Sequence, residues 1–405
     1  MGTKQFDNYA DLITFTRASG ATYLDSDGVL KTASTNIPRI EYDADGNRLG
    51  LLVEEQRTNL LTYSEEFDNA YWTKSNSSIT ANTIVAPDGT LTGEKTVESG
   101  SNAAHYLFNT GGLAVSANTY IGSVFAKAGE RSRLVMGLWN SSLANYQLVQ
   151  FDLTNGTIIQ EAVAGIGNIV SVGNGWYRCS VKRSLGSVTT FLSFGPHPNA
   201  NIAGSLTGQF SNAAYQGDGY SGIYIWGAQL EVGAFPTSYI PTSGSTATRA
   251  ADVATIPTSA FGYNASEGTV VVDFEAAETG TNNTALAFSN TVSGSFTDQI
   301  LIWNAANSNG YVLANGVTQA QFGNPTDQNG QVKISFAFKK NDFAISYDGN
   351  SVVTDTSGIM PSNIEVMKIG DWTNSGQRRI LNGTIKSIKY YPRRLTNAQL
   401  QELTQ

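Results

Sequence analysis

Residues 331–354, QVKISFAFKKNDFAISYDGNSVVT, decide the fold class. Val332, Ile334, Phe336 and Phe338 fall on one side of an extended chain and Lys333, Ser335, Ala337 and Lys339 on the other, because successive side chains of a strand alternate between faces. After a turn at Lys340-Asn341, the residues Phe343, Ile345 and Tyr347 repeat the pattern. Asp348-Gly349 closes a second hairpin before Ser351 to Thr354. One apolar and one polar face predict an antiparallel meander buried on a single side.

Working outward, Val270, Val272 and Phe274 supply a further strand of this kind and Ile385 to Tyr391 another. The one helix predicted is the last element, where Thr396-Asn397-Ala398-Gln399 has capping-box spacing ahead of Leu400 and Leu403. Upstream, strand candidates recur at Tyr120–Lys127, Ser132–Trp139, Tyr146–Leu153, Gly175–Lys182 and Gly222–Glu231, and Asn155-Gly156 marks a hairpin. The small, polar stretch Thr237–Thr246, with Pro241 and Gly244, reads as a linker. The expected fold is all-β: two tandem antiparallel jelly-roll or β-sandwich domains, 59–245 and 246–405, after a short extended segment 1–58, with one short C-terminal helix. That first segment carries two acidic corners ending in Gly, Asp25–Gly28 and Asp43–Gly46, read as turns rather than metal loops.

Composition agrees. The 405 residues include 41 Gly, 18 Phe and 18 Tyr with only 14% charged, a balance of short strands and tight turns. The net charge of -8 and the lack of a basic stripe argue against nucleic acid as a partner. No stretch is apolar and long enough to span a membrane or to act as a signal peptide, so membrane insertion is not expected. Cys179 is the single cysteine, which rules out an intrachain disulfide; in WYRCSV it shares a face with Tyr177 and Val181 and reads as a core thiol.

Several stretches carry a resemblance. TFTRASGATYLDSDGVLKTAS (14–34) and NIPRIEYDADGNRLGLLVEEQRTNLLTYSEEFDNAYWTK (36–74) resemble the opening of bacteriophage fibre and head-spike proteins. So, in the same order, do GWYRCSV (175–181), WGAQLEVGAFPTSYIPT (226–242) with ATRAAD (247–252), and NGTIKSIKYYPRRLTNAQLQEL (382–403). The resemblance implies a carbohydrate-binding-module-like middle domain and a concanavalin A or laminin G-like last domain. It also implies a non-enzymatic virion protein, assembled in the host cytoplasm and exposed on the particle as a homotrimer. Its partners would be other virion proteins (capsid, portal, collar or tail) and a host-surface glycan, with residues 1–58 as the anchor.

For chemistry, Asp273 and Glu275 share a strand face and are the nearest approach to the paired carboxylates of a polysaccharide-cleaving spike. The solvated face of a half-buried strand is the favoured explanation for them. Glu54-Glu55 and Glu65-Glu66 are adjacent, and on a strand would point apart. His105 and His197 lack metal-ligand spacing, and no calcium ligand set can be assembled, although modules of this kind often bind calcium; no cofactor is expected. Sugar binding needs an aromatic platform with amides or hydroxyls beside it. Trp139, Asn140, Tyr146, Trp303, Asn304, Tyr311 and Trp372 have that chemistry, with core packing as the alternative for each. Trp139 and Trp303 stand out because each ends an alternating strand where a polar loop begins. A purely structural cement role for the aromatic surface is the other open reading.

Overall fold

A computed structural model describes residues 4–5, 12–141, 145–198, 200–277, 283–290, 297–304, 310–323, 330–374 and 377–405. The alternating stretch forms Gln331–Lys339, paired antiparallel with Phe343–Tyr347, which pairs in turn with Val353–Asp355. On its other edge lies Glu267–Ala276, followed by Gly383–Tyr391. Val332, Ile334, Phe336, Phe338, Val270, Val272 and Phe274 all enter one core, as the alternation requires. That core is closed by a seven-stranded sheet with the order Thr14–Thr16, Val253–Pro257, Val366–Ile369, Asn283–Ser289, Gln299–Asn304, Gly310–Ala314 and Val317–Phe322.

The opposite face of the meander is covered rather than solvated. The helix Asn397–Glu402 lays Leu400 with Leu395 on Ala337 and Ala344, and Ser335 Oγ donates to the Leu400 carbonyl at 2.9 Å. Its capping box is complete: the Thr396 hydroxyl accepts from Gln399 N and the Gln399 side chain accepts from Thr396 N. Such a cap is worth about 1 kcal/mol.

The middle sandwich packs a six-stranded sheet, Gly167–Ser171, Trp176–Leu185, Asn118–Ala128, Gly222–Val232, Gly93–Glu98 and Ser77–Ile84, against a sheet built around Arg133–Asn140, Asn145–Asp152 and Val188–His197. Leu134, Met136, Leu138, Val124, Val181 and Ile225 fill the space between them. Cys179 lies in this core, and burial pushes its thiol well above the ordinary value, so it is an inert packing residue. Asn155-Gly156 makes the hairpin turn that its sequence predicts, with Gly156 in the left-handed region at φ 64°. The architecture is thus all-β, two antiparallel sandwiches with a short helix at the end.

Residues 12–58 differ from a free arm. Arg48–Val53 pairs with Gly383–Tyr391, Ile40–Tyr42 extends that sheet, and Thr14–Thr16 forms the edge of the opposing sheet beside Val253–Pro257. Leu51 and Val53 belong to the C-terminal core. The middle sandwich is therefore inserted, along the chain, into the C-terminal one. Both acidic corners are turns: Asp25 Oδ1 accepts from Asp27 N and Val29 N, and Asp43 Oδ1 from Asp45 N and Asn47 N, which commits these carboxylates to backbone donors.

Nor is Thr237–Thr246 a free linker. Thr237, Tyr239, Ile240 and Thr242 are buried, with Ile240 N on Gln229 Oε1 and Asn59 Nδ2 on the Ile240 carbonyl. Beside them a buried ionic network ties the segments together. Asp252 takes Arg17 at 3.1 Å and Arg39 at 2.5 Å, while Glu54 takes Arg39 at 2.9 Å and Arg249 at 3.5 Å. The echoing tripeptides Thr16-Arg17-Ala18 and Thr248-Arg249-Ala250 thus send both arginines into one network.

Candidate functional site

The aromatic candidates form two groups on the outer faces of two sheets. In the middle sandwich Leu134, Met136 and Leu138 point inward, so Trp139 points outward, and its strand neighbour Tyr146 stacks on it with ring centres 5.7 Å apart and planes at 9°. Phe191, Phe108, Tyr106 and Phe210 continue the array. Residues 202–213 fold over this face: Phe210 is buried against Tyr146 and Tyr106, with Ile202 and Ala213 beside it. Tyr146 is itself buried, which pushes its phenol up to about 12, and Ser193 Oγ donates to it. Asn140 is buried in the same region. The chain itself covers much of this platform, leaving Trp139 half-buried at its edge.

In the C-terminal sandwich Leu286, Ile300 and Ile302 face the core, which turns Ala287, Leu301 and Trp303 outward. Tyr311 stands opposite Leu301 on the next strand. The hairpin Asp371–Asn374 and Gln377–Ile380 folds against this face and places Trp372 on Ala287 and Leu301. The Trp372 indole N–H donates to Gln299 Oε1 at 2.8 Å, which fixes the ring. Ring centres lie 5.9 Å apart for Trp303 and Tyr311 and 6.1 Å for Trp303 and Trp372. Trp303 and Tyr311 keep part of their surface in solvent, and the Tyr311 and Thr318 hydroxyls are paired at 2.8 Å. Three candidates 69 residues apart in the chain are therefore brought together. The side chain of Asn304 lies outside the described residues.

The sequence reading missed Arg379, whose guanidinium lies 5.2 Å from the Trp303 ring centre and 5.0 Å from that of Trp372. A signal existed: the dipeptide Ser375-Gly376 predicts a turn, and the pairing of Asp371–Asn374 with Gln377–Ile380 sets Arg379 opposite Trp372. Flat indole faces, a hydroxyl pair and a cation suit the CH face, hydroxyls and charge of a saccharide.

The carboxylates sort differently from the sequence expectation. Asp273 is buried and accepts from Gln331 Nε2 at 2.6 Å, whereas Glu275 is exposed. Glu65 and Glu66, expected to point apart, both line a cleft of about 520 Å³ with Asp68, Glu94 and Thr242, because their segment is a turn and not a strand. Burial, reinforced by the charge of Asp68, pushes Glu94 up to about 7. Tyr215 donates to Glu98, and burial with that hydrogen bond raises its pKa, which keeps the phenol protonated. His105 and His197 both pack against Tyr215. Among the described residues no three His, Cys, Asp or Glu side chains stand together so as to hold a metal ion, and no helix is long and apolar enough to cross a membrane.

No family model and no curated protein matches the chain. Solved structures do. The NanB sialidase of Streptococcus pneumoniae is 16% identical over 37% of this chain and 26% of its own, with a TM-score of 0.31. The CBM40 domain of the Ruminococcus gnavus IT-sialidase is 14% identical over 35% and 84%, with a TM-score of 0.26. Mouse laminin α1 domains LG4-5 are 12% identical over 74% and 88%, with a TM-score of 0.25. A carbohydrate-binding domain and laminin G domains thus stand among the similar structures. These matches correct the expectation of a non-enzymatic chain, since sialidases stand among the similar structures. At this level of likeness they assign it no activity or substrate.

Proposed function

We propose that the chain is a glycan-binding protein whose binding face is the outer surface of the seven-stranded sheet around Trp303, Tyr311 and Trp372. One observation carries the reading: three aromatic rings from separate strands meet on one partly exposed surface, with hydroxyls and a cation beside them. Such a platform gathers the weak CH–π contacts that a single exposed tryptophan cannot supply. The Trp139 group has similar chemistry, but it is largely occupied by Phe210 of the same chain.

The setting we propose is the surface of a tailed-phage particle, where the protein serves as a fibre or spike, as a homotrimer, attaching to host-surface glycan. Sequence resemblance at both ends and at the junctions supports this setting. Thr14–Thr16, Ile40–Tyr42 and Arg48–Val53 are built into the C-terminal sandwich, so a virion-docking surface there would be the exposed side of a folded edge and not a loose arm.

The test is an array of bacterial surface polysaccharides probed with the full chain and with Trp303→Ala and Trp139→Ala. Binding lost in Trp303→Ala and kept in Trp139→Ala is the expected result. The reverse pattern would move the site to the middle sandwich.

A second reading, cleavage of such glycans, has one observation in its favour. The cleft gathers the carboxyls of Glu65, Glu66, Asp68 and Glu94, and burial pushes Glu94 up to about 7, the range in which a general acid for hydrolysis works. New reducing ends formed by the native chain and absent with Glu94→Gln would establish it.

A further inference from the structure

We propose that the saccharide taken at Trp303 carries a carboxylate, and that Arg379 is the residue that reads it. The inference rests on the glycan-binding role of this face and adds the class of sugar. Arg379 spans two indoles, at 5.2 Å from Trp303 and 5.0 Å from Trp372, and is only partly exposed. Among the described residues it has no ion pair and no hydrogen-bond acceptor.

Arg17, Arg39, Arg57, Arg131, Arg249 and Arg394 each reach a carboxylate, and Arg178 is met by the Ser123 hydroxyl and the Thr237 carbonyl, whereas among the described residues Arg379 has neither kind of partner. Burial lowers the Arg379 pKa with no carboxylate acting against it. An arginine nonetheless stays charged at any physiological pH, so its partly exposed cation is open to an incoming anion.

The geometry favours a planar anion. A guanidinium lying on aromatic rings uses its face for the cation–π contact and leaves its N–H edge to fork onto two oxygens of a carboxylate. Trp303 then offers its ring to the sugar that bears the carboxylate, and the paired Tyr311 and Thr318 hydroxyls lie on the same strand pair for its hydroxyl groups.

The experiment is calorimetric titration of the full chain with two matched pairs: oligogalacturonate against its methyl ester, and 3′-sialyllactose against lactose. In at least one pair the acid should bind about tenfold or more tightly than its neutral partner, as a charge-assisted bidentate contact implies. R379Q should erase that difference, and R379K should keep part of it. A melting curve on each variant checks the fold. Equal affinities within both pairs, or an acid preference that survives in folded R379Q, would overturn the inference and leave glycan binding standing. No binding by any of the four sugars, together with a blank polysaccharide array, would sink the glycan-binding role and the inference with it.

Discussion

Replacing Asp252 by Asn removes one negative charge from the centre of the ionic network while keeping the shape of the side chain. In the native protein its two oxygens take Arg17 Nη1 at 3.1 Å, Arg39 Nη2 at 2.5 Å and Glu54 N at 2.9 Å, with the side chains of both arginines and of Asp252 fully buried. Arg39 keeps Glu54 at 2.9 Å, but Arg17 loses its one carboxylate partner among the described residues and retains the carbonyls of Ser19, Ala33, Ser34 and Ile37. Removing one member of a buried pair typically costs about 3–5 kcal/mol, because the remaining charge stays desolvated. Half the network survives through Glu54, so a cost of about 3 kcal/mol is predicted. A 405-residue, two-sandwich chain need not unfold in one step, so a local probe is better than a single melting temperature. Amide hydrogen exchange should accelerate roughly a hundredfold in Thr14–Thr16, Arg48–Val53 and Val253–Pro257, with little change in the middle sandwich. Unaltered protection in all three strands would refute the idea that this network fastens the N-terminal strands to the C-terminal sandwich.

Other substitutions test other parts of the account. Glu94→Gln probes pH dependence: the folded carboxyl titrates at about 7 against an ordinary value of 4.5, so its contribution is present below pH 4.5 and lost as pH rises through about 7. The variant and native chain should melt alike at pH 4, and the variant should melt higher at pH 8; a constant gap would contradict this. Phe210→Ala should destabilise the middle sandwich by about 3 kcal/mol in urea unfolding, as for a buried aromatic, and expose Trp139 to acrylamide quenching. Thr396→Ala should cost about 1 kcal/mol, read as faster exchange in Asn397–Glu402. Cys179 should resist thiol reagents until the chain is unfolded, and fast native labelling would contradict its core position.

Local pattern made the strands legible. The alternation of Val332 to Phe338, the Asn155-Gly156 turn and the Thr396 capping box are encoded within a few residues each, and each appears in the structure. What was not legible depends on distant partners. Nothing in Arg48–Val53 announces that it pairs with Gly383–Tyr391, some 330 positions away, and a short turn-rich segment is easily taken for an arm. Thr237–Thr246 has linker composition, yet its polar groups are consumed by buried partners such as Gln229 and Asn59, which composition cannot reveal. The aromatic candidates were named by chemistry alone. Their fates diverged because residues 202–213 return over Trp139 and Tyr146, while the hairpin beside Trp303 brings a second indole and a guanidinium instead. Glu65 and Glu66 were misjudged because period-2 alternation was applied to a turn.

The central claim is the location of the glycan, and oxidative footprinting of the full chain with and without its best array ligand tests it most directly. Bound sugar should protect Trp303 and Tyr311 from hydroxyl radicals and leave Trp139 and Phe191 at their free-protein rates. Protection of Trp139 and Phe191 with none at Trp303 would contradict the account.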